Sequence, residues 1–269
     1  MSIDDAIAQA LSDCEQRHRL KILFAAESGS RAWGFASPDS DYDVRFIYLK
    51  PLSWYLRVGE PRDTHEAMLP DDLDLAGWEL RKTLRLYAKG NMALNEWLGS
   101  PMVYREVGSL AMRMREGLNE WFQPRQALNH YLSMGRRTYT EHLHSDHPKI
   151  KKLFYALRPL LACRWIRQHA TQPPTALTDL LAGLNLDSEA LCQIEQLLAL
   201  KAESAERQPL TLSPWWRRWL EEEIVQSGAA TQTLPASKRP PISALDHWML
   251  EALADPDLSF SSQLPLPAP

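Results

Sequence analysis

The sequence has few cysteines, no long apolar run and no excess of basic residues, and each absence excludes a class of protein. Its three cysteines are odd in number and widely spaced, which argues against a disulfide framework and against a cysteine-based zinc site. Its apolar runs are only a handful of residues long, so no membrane-spanning helix is expected. Thirty basic against 34 acidic residues exclude a general basic coat for nucleic acid, but they leave room for a local basic groove. We therefore expect a protein of the reducing cytoplasm that has no membrane partner.

The order of the predicted elements indicates an α+β protein. Residues 4–18 carry apolar side chains at helical spacing, residues 20–26 read as a fully buried strand, and residues 44–48 read as a second strand. Residues 53–58 are predicted as a further short strand. From residue 78 onward the pattern is helical. The sequence thus predicts a small mixed-sheet head followed by an all-helical body.

The predicted boundaries divide the chain into three parts. The head spans residues 1–100, an all-helical domain spans residues 101–255, and a Pro-rich flexible tail spans residues 256–269. Within the helical part, residues 104–121 are predicted as one helix, and residues 149–169 are predicted as another that Pro159 kinks or splits.

The segment between the first two predicted strands carries the residues that point to chemistry. Gly29 and Ser30 follow the buried strand, and after ten intervening residues Asp41 and Asp43 stand two apart at the start of the next strand. Strand alternation places both carboxylates on one side, where they repel each other unless a cation lies between them. Mg²⁺ prefers such oxygen ligands together with substrate phosphates. The glycine allows a phosphate to approach the backbone closely, and the serine can bind it at a helix N-terminus.

The pattern Gly-Ser-x₁₀-Asp-x-Asp resembles the signature of the DNA polymerase β-like nucleotidyltransferase superfamily. The wider context SGSRAWGF…SDYDVRFIY, with DLDLAGWELRK, NEWLGSPMVY and KKLFYALRPLLACRWI, is similar to the RlaP/YcgL family of predicted bacterial nucleotidyltransferases. This resemblance covers residues 20–170. It implies a polymerase β-like head and a metal-dependent transfer of a nucleoside monophosphate from a nucleoside triphosphate to an acceptor hydroxyl.

The resemblance also implies three carboxylates that hold two Mg²⁺ ions, for which Mn²⁺ can substitute. Asp41 and Asp43 are two of them, and Asp74 is our choice for the third because DLAGWELRK resembles the family there. Asp72 is the second choice. The one of these two aspartates that does not bind metal is expected to lie at a helix N-terminus, where the helix dipole stabilises an acidic side chain.

A second stretch of the sequence is a candidate nucleotide-binding surface. Lys151, Tyr155 and Arg158 lie on one helical stripe, with Lys152 adjacent. The resemblance assigns nucleotide binding to Lys152, Tyr155 and Arg158, because they fit the family's KKxxYxLRP-like run. The alternative is an exposed basic helix face with a packed tyrosine.

A smaller set of residues is a candidate extension of this surface. Arg136, Arg137 and Tyr139 would extend the patch toward the acceptor.

The expected partners follow from the same resemblance. The donor is a nucleoside triphosphate, with ATP favoured, and the acceptor is RNA in a repair or modification reaction, or otherwise a protein or a small molecule. The alternative is a catalytically silent nucleotide-binding module with a regulatory or antitoxin-like role. The presence of candidates for all three acidic positions counts against that alternative.

Overall fold

The computed structural model describes residues 2–70, 72–145, 148–202, 211–234 and 238–260, and these form a mixed α+β fold. The strands are β1 (Lys21–Glu27), β2 (Tyr42–Leu49), β3 (Thr64–Leu69), β4 (Leu73–Glu79) and β5 (Val103–Glu106). The helices are α1 (Ile3–His18), α2 (Gly29–Trp33), α3 (Leu52–Tyr55), α4 (Leu80–Ala88), α5 (Met92–Leu98), α6 (Leu110–Glu116), α7 (Leu118–Trp121), α8 (Pro124–His142), α9 (Ile150–His169), α10 (Leu177–Ala182), α11 (Ser188–Ala202), α12 (Pro214–Ala230) and α13 (Ser243–Ala254). The α+β class predicted from the sequence is confirmed. Within the described residues no helix is long and apolar enough to cross a membrane.

The five strands form one mixed sheet in the order β3-β4-β2-β1-β5. β2 and β4 are parallel, whereas the other neighbouring pairs are antiparallel. Helix α1 covers one face of the sheet, and a second apolar cluster that includes side chains of α4, α5 and α6 covers the other. Because both faces are covered, every residue of β1 after Lys21 is buried, as its continuous apolar run predicts.

Two predicted elements differ in the structure. The strand expected over residues 53–58 is wrong, since the chain there forms the short helix α3 and then a loop. The single helix expected over residues 104–121 is also wrong, because its beginning is β5, an edge strand paired with β1. Gly108, with φ of +69°, separates that strand from α6, since a positive φ cannot continue a right-handed helix.

The division predicted at residue 100 also differs from the structure. β5 completes the sheet of the head, and α13 returns from the end of the chain to pack on α4, where the rings of Trp248 and Tyr87 lie 5.9 Å apart. The tail predicted from residue 256 begins with a 3₁₀ turn, Pro256–Leu258, whose Leu258 is buried. Residues 261–269 of that tail lie outside the described residues.

The helical body is built on α8, α9 and α12. Their apolar side chains form one cluster that includes Leu128, Phe154 and Trp219. Helices α8 and α9 approach closely because Gly135 faces Leu160, where an added Cβ would lie 2.8 Å from the leucine side chain. Pro159 does not split the helix, since α9 runs continuously from Ile150 to His169.

A buried ion pair joins the head to the body. Glu96 of α5 accepts hydrogen bonds from Arg158 of α9 at 2.6 Å, from Tyr131 of α8 at 2.8 Å and from the Trp33 indole of α2 at 3.2 Å. The Arg158 guanidinium lies over the Trp33 ring, 4.9 Å from its centroid, and donates to the carbonyl of Thr175. With only 1% of its side chain exposed, Arg158 depends on Glu96 for its counter-charge.

We expect Glu96→Gln to destabilise the fold by about 3 to 5 kcal/mol, because it leaves the Arg158 guanidinium buried without a counter-charge. Urea unfolding followed by tryptophan fluorescence measures this loss. The matched control is Asp63→Asn, which breaks the more exposed pair with Lys82 and should cost about 1 kcal/mol or less. Equal losses in the two variants would contradict the importance of the buried pair.

Candidate active site

A cavity of about 240 Å³ lies where the head meets the body. Its walls come from the end of β1 and the start of α2, from β2, from α5 and from α8. The residues that line it are Ser28, Gly29, Trp33, Asp43, Arg45, Ala93, Glu96, His130 and Met134. It thus combines the glycine and one aspartate of the predicted motif with residues of the helical body.

The Gly29–Ser30 turn packs directly on Asp43. Gly29 has φ of +64°, and an added Cβ would lie 2.3 Å from the Asp43 Oδ2 atom. The Ser28 N–H donates to the Asp43 carbonyl at 2.8 Å, which fixes the turn to the start of β2. Ser30 lies in the first turn of α2, where it is buried and its carbonyl accepts from Gly34 and Phe35. A glycine is therefore required here both by backbone conformation and by space.

Asp43 and Asp74 lie side by side because β2 and β4 are parallel and in register at these residues. Arg45 bridges them, and its Nη2 atom donates to Asp43 Oδ1 at 2.7 Å and to Asp74 Oδ2 at 2.8 Å. Its Nη1 atom also donates to the Asp74 carbonyl at 3.1 Å. Each aspartate side chain remains about 30% exposed, so both carboxylates are accessible from solvent.

The other acidic candidates, Asp41 and Asp72, are exposed residues before β2 and β4. Asp41 precedes β2 and is exposed. Arg31 holds the loop before β2 by donating to the carbonyls of Ser40 at 2.7 Å and Asp41 at 3.1 Å. Asp72, the second choice for the third carboxylate, is exposed in the turn between β3 and β4, where its φ is +53°. The geometry therefore groups Asp74, rather than Asp72, with Asp43.

The charges around Asp43 favour a cation at this place. Burial raises the pKa of Asp43, and the neighbouring charges of Asp74 and Asp41 raise it further, while Arg45 and Lys151 oppose the rise. Carboxylate oxygens on adjacent strands fit a hard divalent cation by donor type. Among the described residues no group of three or more His, Cys, Asp or Glu side chains is already arranged to hold a metal. In this structure Arg45 supplies the positive charge between the two aspartates.

Glu27 is a site residue that sequence reasoning missed. It is fully buried at the end of β1, where its carboxylate accepts from the Asp43 N–H at 2.8 Å and from the Tyr104 hydroxyl at 2.5 Å. Burial raises its pKa. Its signal in the sequence is a lone acidic residue that ends an otherwise apolar strand. Glu27 fixes the backbone at Asp43 and thereby the direction of that carboxylate.

The three residues predicted on α9 have different surroundings. Arg158 is in the core, where it binds Glu96, so its placement does not favour direct nucleotide binding. Tyr155 is half-buried, and its ring meets the Trp33 ring edge-on at 5.5 Å. Lys152 is half-buried, but the ammonium whose charge lowers the pKa of Asp43 belongs to Lys151, which lies over the Tyr155 ring.

Comparisons with known proteins agree with the family resemblance seen in the motif and its sequence context. The sequence profile of the RlaP family, described as an RNA repair pathway DNA polymerase beta family, matches residues 3–251. The uncharacterized protein YcgL of Bacillus subtilis strain 168 is 41% identical over 249 residues, which cover 93% of this chain and 96% of that protein. A nucleotidyltransferase-like protein from Exiguobacterium sibiricum 255-15 aligns with 86% of this chain and 75% of its own. At 10% identity and a TM-score of 0.31, that alignment does not establish a common fold.

The match over nearly the whole chain, together with the relative of similar length, confirms the resemblance to this family. The chain belongs to the RlaP family, the DNA polymerase beta family of the RNA repair pathway.

Proposed function

We propose that this protein is a metal-dependent nucleotidyltransferase that moves a nucleoside monophosphate from a nucleoside triphosphate, with ATP favoured, to an acceptor hydroxyl. The observation that carries the proposal is that Asp43 lies beside Asp74 and also lines a cavity together with Gly29, which packs directly on it. Family membership supports the same reaction class. The cysteine usage supports a reducing cytoplasm as its location.

In this proposal, the residues of the head bind the triphosphate and the metal ions. The turn at Gly29 and Ser30 holds the triphosphate with backbone N–H groups. A side chain at residue 29 would displace the Asp43 carboxylate that packs on this turn. Asp41, Asp43 and Asp74 would hold two Mg²⁺ ions, or Mn²⁺ in their place. When bound, these ions supply positive charge for the attacking and leaving oxygens of an in-line displacement.

The residues of the body bind the rest of the nucleotide in this proposal. Lys151 and Lys152 provide positive charge for the phosphates, and Tyr155 supports the Trp33 wall of the cavity. Arg158 acts as a positioning residue, because its contact with Glu96 fixes the Trp33 indole at the end of α2.

The acceptor in this proposal is the hydroxyl of an RNA in a repair or modification reaction, as the family description suggests. A protein or small-molecule hydroxyl is the alternative acceptor. Labelled transfer to each class of acceptor, measured with the same enzyme preparation, separates these cases.

A second candidate function is a catalytically silent nucleotide-binding module with a regulatory or antitoxin-like role. The observation that favours it is the Arg45 bridge, since a guanidinium between the two aspartates already compensates one of their two negative charges. Nucleotide binding without transfer to any acceptor would support this second function and overturn the first.

We expect Asp43→Asn and Asp74→Asn each to reduce transfer from an α-labelled nucleoside triphosphate at least about a hundredfold, because each removes a charge that the reaction requires. The assay contains Mg²⁺ or Mn²⁺ and total bacterial RNA or protein, and EDTA should abolish transfer. Asp13→Asn, on the surface of α1, is the matched control and should retain activity. Full activity in either site variant would contradict the proposal.

The same variants should remain folded. Because burial raises the pKa of Asp43, its ionised form is disfavoured in the folded chain, and the stability that this group contributes falls as pH rises through that pKa. Replacing it with asparagine should therefore not lower the melting temperature at neutral pH without metal. A collapsed melting temperature would assign the loss of activity to unfolding.

We expect Gly29→Ala to reduce both stability and transfer. The positive φ alone costs about 1 to 3 kcal/mol for a residue with a side chain, and the methyl group also displaces the Asp43 carboxylate. Thermal unfolding and the transfer rate measure the two effects. Gly59→Ala, whose Cβ would meet open space, is the control that should leave both unchanged. An unaltered Gly29→Ala protein would contradict the assigned role of the turn.

A further inference from the structure

A second groove, of about 470 Å³, runs along the outer side of α8. Its lining includes the polar side chains of Asn129, Ser133, Arg136, Arg137 and Thr140, together with the apolar Leu132. From the helical rise, residues 129–140 span about 16 Å, which exceeds the length of a single phosphate group.

The two arginines of this groove lack the carboxylate partners that the more buried arginines have. Arg45, Arg158 and Arg167 each bind a carboxylate. Arg136 and Arg137 are exposed, and within the described part of the chain neither guanidinium makes a hydrogen bond or an ion pair. Two guanidiniums without a counter-charge, set among hydroxyl and amide groups, suit an anionic ligand. Glu141 also lines the groove, so its net charge is positive by one.

The groove and the cavity lie on neighbouring faces of one helix, α8. His130 and Met134 line the cavity, while Asn129 and Ser133, the residues immediately before them on α8, line the groove. Arg137 follows Met134 by three residues, so it lies near the cavity side of the helix. A ligand that contacts both surfaces must therefore extend around α8 and be longer than one nucleotide.

The predicted role of Tyr139 does not belong to this surface. Tyr139 is buried, and its hydroxyl donates to Glu221 of α12 at 2.5 Å. The acceptor extension expected from the sequence is thus reduced to the two arginines.

We propose that this groove binds the phosphates of a single-stranded polynucleotide whose terminal hydroxyl is the acceptor in the catalytic cavity. The proposal rests on the proposed function and names its acceptor class, because a linear series of donors fits repeated phosphates better than a protein or a free nucleoside. The net charge of the chain is −4, so the contact is local and its affinity depends on salt.

The test measures binding of a fluorescein-labelled 12-nucleotide single-stranded RNA to the full chain by fluorescence anisotropy at several salt concentrations. We expect the double variant R136Q/R137Q to weaken binding at least about tenfold at low salt. The logarithm of the RNA-binding constant falls linearly with the logarithm of the salt concentration. In the double variant the magnitude of this slope should be smaller by about 1.4, because two phosphate contacts are lost. A DNA oligonucleotide of the same sequence separates phosphate binding, shared by both, from recognition of the RNA sugar.

The matched control is R57Q/R85Q, which removes the same charge from two exposed arginines of the head. This control should bind RNA like the natural chain. Equal weakening in the two double variants, or no weakening in R136Q/R137Q, would overturn the proposal.

The binding assay also separates this proposal from the catalytic one. Asp43→Asn should bind the RNA normally while transfer is lost. If transfer instead goes to a protein hydroxyl and is unaffected by R136Q/R137Q, the groove assignment fails and the transferase assignment stands. If Asp43→Asn keeps full transfer while R136Q/R137Q loses RNA binding, the assignment of RNA binding to the groove is supported and the catalytic role of the carboxylates is contradicted.

Discussion

The arrangement of the head centres on Arg45, which binds two carboxylates on neighbouring strands. The parallel register of β2 and β4 places Asp43 beside Asp74, and burial raises the pKa of Asp43, so the charge of that carboxylate is costly. Arg45 relieves this cost by binding both. Asp43, which also lines the cavity, is fixed further by the close packing of Gly29 and by the hydrogen bond from its N–H to the buried Glu27.

The joint between head and body connects this charged pair to the helical bundle. Glu96 binds Arg158 and Tyr131 of the body on one side and the Trp33 indole of the head on the other. Because Trp33 ends the short helix that begins at Gly29, the orientation of the turn depends on the packing of α8 and α9. The same helix α8 lines both the cavity at Asp43 and the groove at Arg136 and Arg137, so one element sets the distance between the two surfaces.

Local pattern predicted the parts of the site that are close in sequence, and it failed where contacts are distant. Residues 20–26 and 44–48 were identifiable as strands from their apolar runs, and the spacing of Asp41 and Asp43 indicated the site. No local pattern reveals that Glu96 pairs with Arg158, 62 residues away, and this pairing moves Arg158 into the core. The edge strand β5 was mistaken for helix because only its pairing with β1, and the positive φ of Gly108, define it.

The most direct measurement is the binding of Mn²⁺ to the full chain, by electron paramagnetic resonance, in the presence of a non-hydrolysable nucleoside triphosphate. If Asp43 and Asp74 hold a cation in place of the Arg45 bridge, the natural chain should bind Mn²⁺ and the double variant D43N/D74N, equally folded, should not. Equal binding of Mn²⁺ by both proteins, or binding by neither, would contradict the assignment of this carboxylate pair.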